Sequence, residues 1–253
     1  MTTVGDILRF LETLAPPELK MDWDNVGLLC GSRTRPVTRV LVALDPFEHV
    51  CREAQELGAE LIVTHHPLIF SARKAISDET SVGRCVMALC QSGISAINAH
   101  TNLDCAPGGV NDVLARTLGL NQPEVIGREQ LLRAGTYSAT LPEFLSHVRQ
   151  ALDCPGLRYC DGGRPVRKVA VGGGACAGSL PEVYAAGCDT FVTSDVRYNQ
   201  FWDARELGIN LIDAGHFCTE NPVVAVLAEK IGTAFPEIAV VCSKTHADCM
   251  KFF

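Results

Sequence analysis

The amino-acid sequence predicts an α/β protein with two similar α/β lobes related by internal duplication, built on mainly parallel or mixed sheets flanked by helices. Short apolar runs alternate with helical patterns along the 253-residue chain, an order typical of βαβ units. The apolar runs that start at Val40 and Val169 are each followed, 18 residues later, by a glycine (Gly58 and Gly187) and a second apolar run. Because the spacing is equal over a whole unit, we interpret the two halves as a duplication.

A second repeated segment supports the duplication. Residues 93–104 and 208–220 each contain, in order, a glycine, a short apolar strand and a histidine, and an acidic residue stands four positions after the histidine. The two pairs are His100 with Asp104, and His216 with Glu220.

The elements near the ends of the chain are predicted from the spacing of apolar residues and from the residues typical of helix starts and ends. Apolar residues at positions 4, 7, 8, 11 and 14 predict a core-facing helix over Val4–Leu14. Pro222 suits the first turn of a helix over 223–231, and Gly232 is expected to close it. A strand is expected around 238–242, in a segment that returns to the first lobe.

The segment Asn121–Gly135 is typical of a boundary between lobes, since it is polar and contains Pro123 and Gly127. We therefore expect a first lobe of residues 1–125 plus 220–253 and a second lobe of residues 126–219.

Composition excludes several classes of protein. The chain has 22 basic and 29 acidic residues and a net charge of -7, whereas a duplex-binding surface usually has a basic surplus, so nucleic acid is not expected as the main partner. No uncharged apolar run reaches the ~18 residues that span a bilayer, and the N-terminus does not resemble a signal peptide. Twelve cysteines without a CxxC pair are typical of reduced thiols, which predicts a cytoplasmic protein.

Polar side chains follow three of the predicted strands. The carboxyl ends of strands in open α/β sheets form the ligand crevice, so these side chains are expected to converge. Imidazole and carboxylate groups are ligands for Zn²⁺, Mn²⁺, Fe²⁺ and Ni²⁺. The sequence therefore predicts a metal site, and its candidate residues are His65, His66, His100, Asp104, His216 and Glu220.

The adjacent histidines His65 and His66 favour a site with two ions. Neighbouring side chains on a strand point to opposite faces, so two of them do not easily bind one ion. At a strand end followed by Pro67 they can instead bind two ions side by side. Two-metal sites have ions about 3.5–4 Å apart, close enough to share one activated water.

Other residues of the same types have ordinary interpretations. We interpret His49, His147 and His246 as satisfied surface or core histidines, because a lone histidine more often has such a role than that of a metal ligand. Cys105 and Cys218 lie beside candidate ligands and could coordinate a soft ion.

Five segments resemble the GTP cyclohydrolase I type 2 family, also called Nif-three-like dinuclear-metal proteins. The resemblance covers nearly the whole chain. The segments are Asp24–Leu28 (DNVGL), Thr64–Pro67 (THHP), Ala99–Asp104 (AHTNLD), Val171–Gly174 (VGGG) and Gly215–Glu220 (GHFCTE).

The resemblance implies a pair of divalent metal ions, of unspecified identity among Zn, Fe, Mn and Ni, and it implies their ligands. These are His65, His66, Asp104, His216 and Glu220. His100 matches a pocket histidine that we interpret as an outer or acid–base group rather than a metal ligand.

The family further implies two similar α/β lobes and a toroidal homohexamer with metal sites that face an internal cavity. This chain has the short form, without the extra domain that some members insert between the lobes. Many relatives have a histidine where this sequence contains Asp195–Asn199, and this departure leaves the role of Asp195 open.

Three functions are compatible with these residues. The first is a metal-dependent hydrolase or cyclohydrolase that acts on a purine nucleotide such as GTP, with attack at C8 and a proton carried by His100. The second is a non-catalytic metal-binding or regulatory ring protein, which needs the same five ligands. The third is dinucleotide binding, because Gly172, Gly174 and Ala177 follow a strand in the G-x-G-x-x-A pattern. We favour the simpler interpretation that these glycines allow a tight turn.

Substrate-binding candidates are Asp24, Asn25 and Asp195. Asp24 and Asn25 either line the cavity or make an Asx-type turn before a strand over 28–30. A nucleotide also needs cations, which Arg73, Lys74 and Arg84 could supply if they are not simply solvated.

Overall fold

The structure, a computed structural model, describes residues 1–252 and divides them into two compact units. Unit 1 contains Met1–Pro107 and Val224–Ala247, and unit 2 contains Gly108–Val223 and residues 248–252. None of the helices in residues 1–252 has the length and apolar character needed to cross a bilayer.

The elements alternate between strand and helix over most of the chain. The helices are α1 (Val4–Leu14), α2 (Glu48–Leu57), α3 (Ser81–Ser92), α4 (Thr101–Cys105), α5 (Val110–Thr117), α6 (Leu141–Ala151), α7 (Leu180–Ala185), α8 (Tyr198–Glu206), α9 (His216–Glu220) and α10 (Pro222–Ala234). The strands are β1 (Gly27–Cys30), β2 (Arg39–Ala43), β3 (Leu61–Thr64), β4 (Ser95–Asn98), β5 (Asn121–Ile126), β6 (Leu132–Ala139), β7 (Arg158–Cys160), β8 (Val166–Val171), β9 (Thr190–Thr193), β10 (Asn210–Asp213) and β11 (Ala239–Cys242).

Unit 1 is a five-stranded sheet in the order β1-β4-β3-β2-β11, in which only β1 is antiparallel to its neighbour. Strand β3 is buried at every position, as expected for a parallel strand covered on both faces. Helix α2 is capped at its C-terminus by Gly58, which has a φ of 64° and therefore lies in the left-handed region. From this conformation its backbone N–H bonds carbonyl oxygens of the last turn of the helix. Buried side chains of α2 and α3, including Val50, Ala54 and Leu89, pack on the sheet.

Unit 2 is a six-stranded mixed sheet in the order β5-β6-β8-β9-β10-β7. Strands β8, β9 and β10 are parallel neighbours, and the other pairs are antiparallel. Phe144 of α6 is fully buried in the core on one face, and Phe191 of β9 is fully buried in the core on the other.

The two units share a parallel strand arrangement, and the predicted α/β fold is confirmed. In unit 1, Val40 pairs with Leu61, and in unit 2, Val169 pairs with Thr190 at the same offset. The next parallel strand, β4 or β10, follows in each unit on the far side of the central strand. This repeated register is what an internal duplication predicts.

The division of the chain differs from the expected lobes of residues 1–125 plus 220–253 and 126–219. Segment 121–135, expected to be the boundary between the lobes, instead contains β5 and the start of β6, two antiparallel strands of the unit 2 sheet. Helix α5 also belongs to unit 2, because Leu114 and Leu118 are buried in the core around Phe144. The boundary therefore lies before α5, between Pro107 and Gly108.

The terminal elements agree with the sequence except at one helix end. Helix α1 has the predicted bounds, and Thr3 and Asp6 cap its N-terminus reciprocally. Helix α10 continues past Gly232 to Ala234, because the backbone N–H of Phe235 still bonds Ile231 O at 2.9 Å. A glycine inside a helix costs only about 1 kcal/mol, so Gly232 weakens the helix without ending it.

Candidate metal centre

His65 and His66 directly follow the buried end of β3. The turn is fixed by two hydrogen bonds: His66 N–H donates to Leu44 O at 2.9 Å, and the Thr64 hydroxyl donates to His66 O at 2.7 Å. His65 is fully buried. One ring nitrogen from each of His65, His66 and His100 lies within 4.8 Å of the others, so unit 1 brings three of the predicted imidazoles together.

His100 and Asp104 are placed by the end of β4 and the short helix α4. His100 is the N-cap of α4, and its backbone N–H donates to Asn102 Oδ1 at 2.9 Å. Asp104 lies four residues later, so both side chains project from one face of the helical turn. Asp104 Oδ1 is 3.6 Å from His65 Nε2.

Each of the three predicted site imidazoles in unit 1 is held through Nδ1 by an oxygen acceptor. His65 Nδ1 donates to Ala99 O at 2.9 Å, His66 Nδ1 to Asp45 Oδ1 at 2.7 Å, and His100 Nδ1 to Asp24 Oδ1 at 2.8 Å. In the neutral ring the other nitrogen, Nε2, then carries the lone pair. Such an outer hydrogen bond fixes the orientation and tautomer of a metal-binding histidine.

The carboxylates behind these histidines remain ionised. Burial by itself would raise the pKa of Asp24, but hydrogen bonds from His100 and Thr101 hold it well below its usual range. Burial acts in the same direction on Asp45, and hydrogen bonds from His246 and His66 lower its pKa below the usual range. A carboxylate in this state accepts hydrogen bonds only, so both acids act as anchors for their histidines.

Unit 2 places His216 and Glu220 on the single turn of α9. His216 Nε2 is 3.0 Å from Glu220 Oε2, and His216 Nδ1 donates to Asp195 Oδ2 at 2.6 Å. Gly215, with a φ of 83°, lets the chain turn from β10 into α9. The fourth predicted histidine is therefore oriented in the same way as the other three.

The glycine run after β8 lies directly against Glu220. A Cβ at Gly174 would lie 2.1 Å from Glu220 Oε1, and a Cβ at Gly173 would lie 3.1 Å from Glu220 Cγ. Gly174 N–H also donates to the Thr219 hydroxyl at 3.0 Å. The glycines therefore have a local reason, the close approach of α9, which agrees with the tight-turn interpretation. In the dinucleotide-binding pattern these glycines precede a helix, and the helix that follows them here, α7, has only six residues.

The donor spacings fit divalent metal ions. Metal–nitrogen and metal–oxygen bonds of about 2.0–2.2 Å place adjacent ligand atoms about 3.0 Å apart in an octahedron and about 3.4 Å apart in a tetrahedron. The 3.0 Å between His216 and Glu220 and the 3.6 Å between His65 and Asp104 lie close to these values. Each unit thus contains an imidazole–carboxylate pair at a spacing that suits one ion.

Comparison with known proteins identifies the family. The family model described as Duf34/NIF3 (NGG1p interacting factor 3) matches residues 2–249. The chain belongs to the Duf34/NIF3 family.

The relatives of this Duf34/NIF3 chain match it over nearly its whole length. A "GTP cyclohydrolase 1 type 2 homolog" of Clostridium perfringens is 34% identical over 98% of this chain and 99% of its own length. A protein with the same description from Streptomyces coelicolor is 37% identical over 88% of this chain and 83% of its own length. The crystal structure of a Bacillus cereus protein related to NIF3 superposes with a TM-score of 0.92 at 25% identity, over 100% of this chain and 99% of that chain.

The predicted substrate-binding residues of this Duf34/NIF3 protein have structural contacts of their own. Asn25 N–H donates to Asp24 Oδ1 at 2.8 Å, a contact with the next residue rather than the bond two residues on that defines an Asx-type turn. The side-chain amide of Asn25 donates to Ile69 O at 2.6 Å. Asp195 bonds His216. Of the cations considered for a nucleotide, Arg84 pairs with Glu48 at 2.7 Å, whereas Arg73 and Lys74 are exposed.

Sequence analysis missed two side chains of the unit 1 site. Asp45 stands two residues after β2 and was detectable by the same strand-end rule that selected His65. His246 was interpreted as an isolated histidine, but its Nε2 lies 2.8 Å from Asp45 Oδ2. No sequence pattern joins residues 45 and 246, so only the fold brings them together.

Proposed function

We propose that this protein binds two divalent metal ions through His65, His66, Asp104, His216 and Glu220, and that it hydrolyses a purine nucleotide such as GTP. The five ligands follow the family resemblance, with three of them in unit 1 and two in unit 2. The substrate class is supported by the description of the relatives as GTP cyclohydrolase 1 type 2 homologues.

The observation that carries the proposal is the common orientation of four histidines. His65, His66, His100 and His216 each donate from Nδ1 to a carbonyl or carboxylate oxygen at 2.6–2.9 Å. A surface or core histidine needs no such uniform arrangement, whereas metal-binding histidines almost always have it.

The residues around the donors supply the rest of the chemistry. A pair of divalent ions, when bound, lowers the pKa of water and polarises the atom under attack. His100 is the proposed proton carrier, because Asp24 holds its Nδ1 and leaves Nε2 to accept or return a proton. The exposed rings of Trp23 and Phe70, 6.2 and 6.1 Å from the His100 ring, form an apolar wall beside it.

A metal count on purified, unchelated protein tests the binding proposal. His65→Ala in unit 1 and Glu220→Ala in unit 2 should each strip metal while leaving the chain folded. His147→Gln is the matched control, because His147 is a half-buried histidine whose Nε2 bonds Leu118 O at 3.0 Å outside the donor groups. Unchanged metal content in both alanine variants would refute the ligand assignment.

Turnover is tested separately on metal-replete protein with a panel of purine nucleotides. We expect hydrolysis of GTP or a close relative, and we expect His100→Gln to reduce turnover while sparing metal content. Stoichiometric, exchangeable metal without turnover of any nucleotide would instead support the non-catalytic metal-binding or regulatory ring protein.

We also propose, from the family resemblance alone, a toroidal homohexamer. Six copies of the 27.2 kDa chain have a mass of about 163 kDa, which light scattering coupled to size-exclusion chromatography measures directly. A mass that corresponds to fewer than six copies would exclude the hexameric ring.

A further inference from the structure

Asp45 joins two histidines through separate oxygens. Its Oδ1 accepts a hydrogen bond from His66 Nδ1 at 2.7 Å, and its Oδ2 accepts one from His246 Nε2 at 2.8 Å. Both contacts lie within unit 1. Because each oxygen has its own donor, the two histidines together determine how the carboxylate is turned.

The three anchored histidines of unit 1 differ in the rigidity of their acceptors. His65 bonds a backbone carbonyl, which cannot rotate independently of the chain. His66 and His100 bond carboxylates, whose terminal torsions are soft. Asp24 is restrained by the Thr101 backbone N–H at 3.0 Å. For Asp45, the equivalent second restraint comes from His246.

His246 is itself well ordered by its surroundings. Its side chain is 5% exposed, and its backbone N–H donates to the Ser243 hydroxyl at 3.2 Å. Glu53 accepts from Lys244 N–H and from the Thr245 hydroxyl, both at 2.8 Å, so the whole segment is tied to α2.

A second histidine completes the arrangement. Since His246 Nε2 donates to Asp45, the Nδ1 of the neutral His246 ring accepts, and His49 Nε2 lies 3.2 Å from it. The two rings stack with centroids 5.4 Å apart. The hydrogen bonds therefore run in one direction, from His49 to His246 to Asp45, and His66 meets the same carboxylate from the other side.

We propose that His246 is a positioning residue for His66: by fixing the Asp45 carboxylate, it sets the orientation of the imidazole that binds metal. This inference rests on the proposed metal-binding function, and it adds a residue 180 positions from His66 in the sequence. Loss of an outer hydrogen-bond partner typically lowers metal affinity about 10- to 100-fold. His246 acts one bond further out, so we expect its loss to lower affinity by about tenfold, near the lower end of that range.

The test compares two amide replacements of similar chemistry. In His246→Gln the side-chain amide reaches the position of Nε2 and can still donate to Asp45, whereas in His246→Asn it reaches only the position of Nδ1. Zn²⁺ affinity is measured by competition with a chromophoric chelator, and the Co²⁺ absorption spectrum reports ligand geometry. Urea unfolding of both apo proteins separates a stability loss from a metal-specific loss. His147→Asn is the control for removing a histidine elsewhere.

We expect weaker Zn²⁺ binding and an altered Co²⁺ spectrum in His246→Asn, near-native values in His246→Gln, and no change in the control. Equal affinity and equal spectra for wild type and His246→Asn, or a His246→Gln protein as impaired as His246→Asn, would overturn the inference while leaving the proposed function intact. A wild-type chain that binds neither ion would refute the proposed function itself, and the inference with it.

Discussion

Replacing Gly174 with alanine should weaken metal binding by the unit 2 donors. Its cost to the free energy of unfolding should be little more than the strain of a left-handed alanine. Gly174 has a φ of 64°, and its Cβ position lies 2.1 Å from Glu220 Oε1 and 3.1 Å from His216 Nε2. An alanine in the left-handed region costs roughly 1–2 kcal/mol relative to glycine. The contact with Glu220 adds little to that cost, because Oε1 is the end of a flexible side chain that can move aside.

The same movement is large on the scale of metal coordination. To reach an ordinary contact of 3.4 Å from 2.1 Å, Glu220 Oε1 must shift by about 1.3 Å. Metal–ligand distances tolerate only about 0.2 Å. We therefore expect metal affinity to fall at least about 10- to 100-fold, which corresponds to about 1.4–2.8 kcal/mol of binding free energy.

Gly187→Ala is the matched control. Gly187 has a φ of 72°, so its alanine variant carries the same backbone strain, but nothing lies within 4 Å of its Cβ position. Urea unfolding of the apo proteins and Zn²⁺ competition titrations should give two variants of similar stability and different metal affinity. Equal Zn²⁺ affinities for Gly174→Ala and Gly187→Ala would show that the glycine does not control the Glu220 carboxylate.

Three further predictions concern stability and the surroundings of the site. Burial by itself would raise the pKa of Glu53, but hydrogen bonds led by the Lys244 N–H lower it. The ionised Glu53 therefore stabilises the folded state at neutral pH, and this stabilisation is lost as the pH falls below the unfolded pKa of about 4.3. Glu53→Gln should lower the free energy of unfolding, measured in urea, by about 1–3 kcal/mol at pH 7 and by progressively less near pH 3. Trp202→Phe leaves Trp23 as the only tryptophan, and because its ring lies near the donor histidines, Co²⁺ should quench its emission and a chelator should restore it; undiminished emission with Co²⁺ bound would contradict this placement. Phe144→Ala, which truncates a fully buried ring, should lower the free energy of unfolding of unit 2 by about 3–5 kcal/mol, and a loss below about 1 kcal/mol would contradict its place in the core.

The parts of the fold that depend on local signals were predictable from the sequence. The bounds of α1 follow from its apolar stripe and from the capping residues Thr3 and Asp6. Strands β3 and β9 were detectable because both are short, wholly buried and bounded by Gly58 and Gly187 on one side. In each case the deciding contacts lie within a few residues of the element itself.

The errors arose where pairing across the chain overrides local composition. Segment 121–135 contains proline and glycine and suggested a boundary between lobes, but β5 pairs with β6 and β6 pairs with β8, so the segment belongs to a sheet. Gly232 suggested a helix end, but no left-handed turn follows it and α10 continues. The contact between Asp45 and His246 joins residues 201 positions apart, a distance over which no periodicity carries information.

The candidate site residues show which positions the two units have in common and where their side chains differ. Strands β3 and β9 occupy equivalent places, so Thr64, His65 and His66 correspond to Thr193, Ser194 and Asp195. In unit 1 this strand end provides imidazoles, whereas in unit 2 it provides the carboxylate that holds His216 by Nδ1. Asp195 therefore has in unit 2 the role that Asp24 has toward His100 in unit 1.

This correspondence gives Asp195 a physical role in orienting His216. The Asp195 carboxylate accepts the Nδ1 proton of His216 at 2.6 Å, and this hydrogen bond favours the tautomer in which Nε2 carries the lone pair. Asp195→Asn keeps the size and offers an amide oxygen to the same proton, so it should retain metal better than Asp195→Ala, which leaves His216 able to rotate. Equal Zn²⁺ affinity for the two variants would mean that Asp195 does not orient His216.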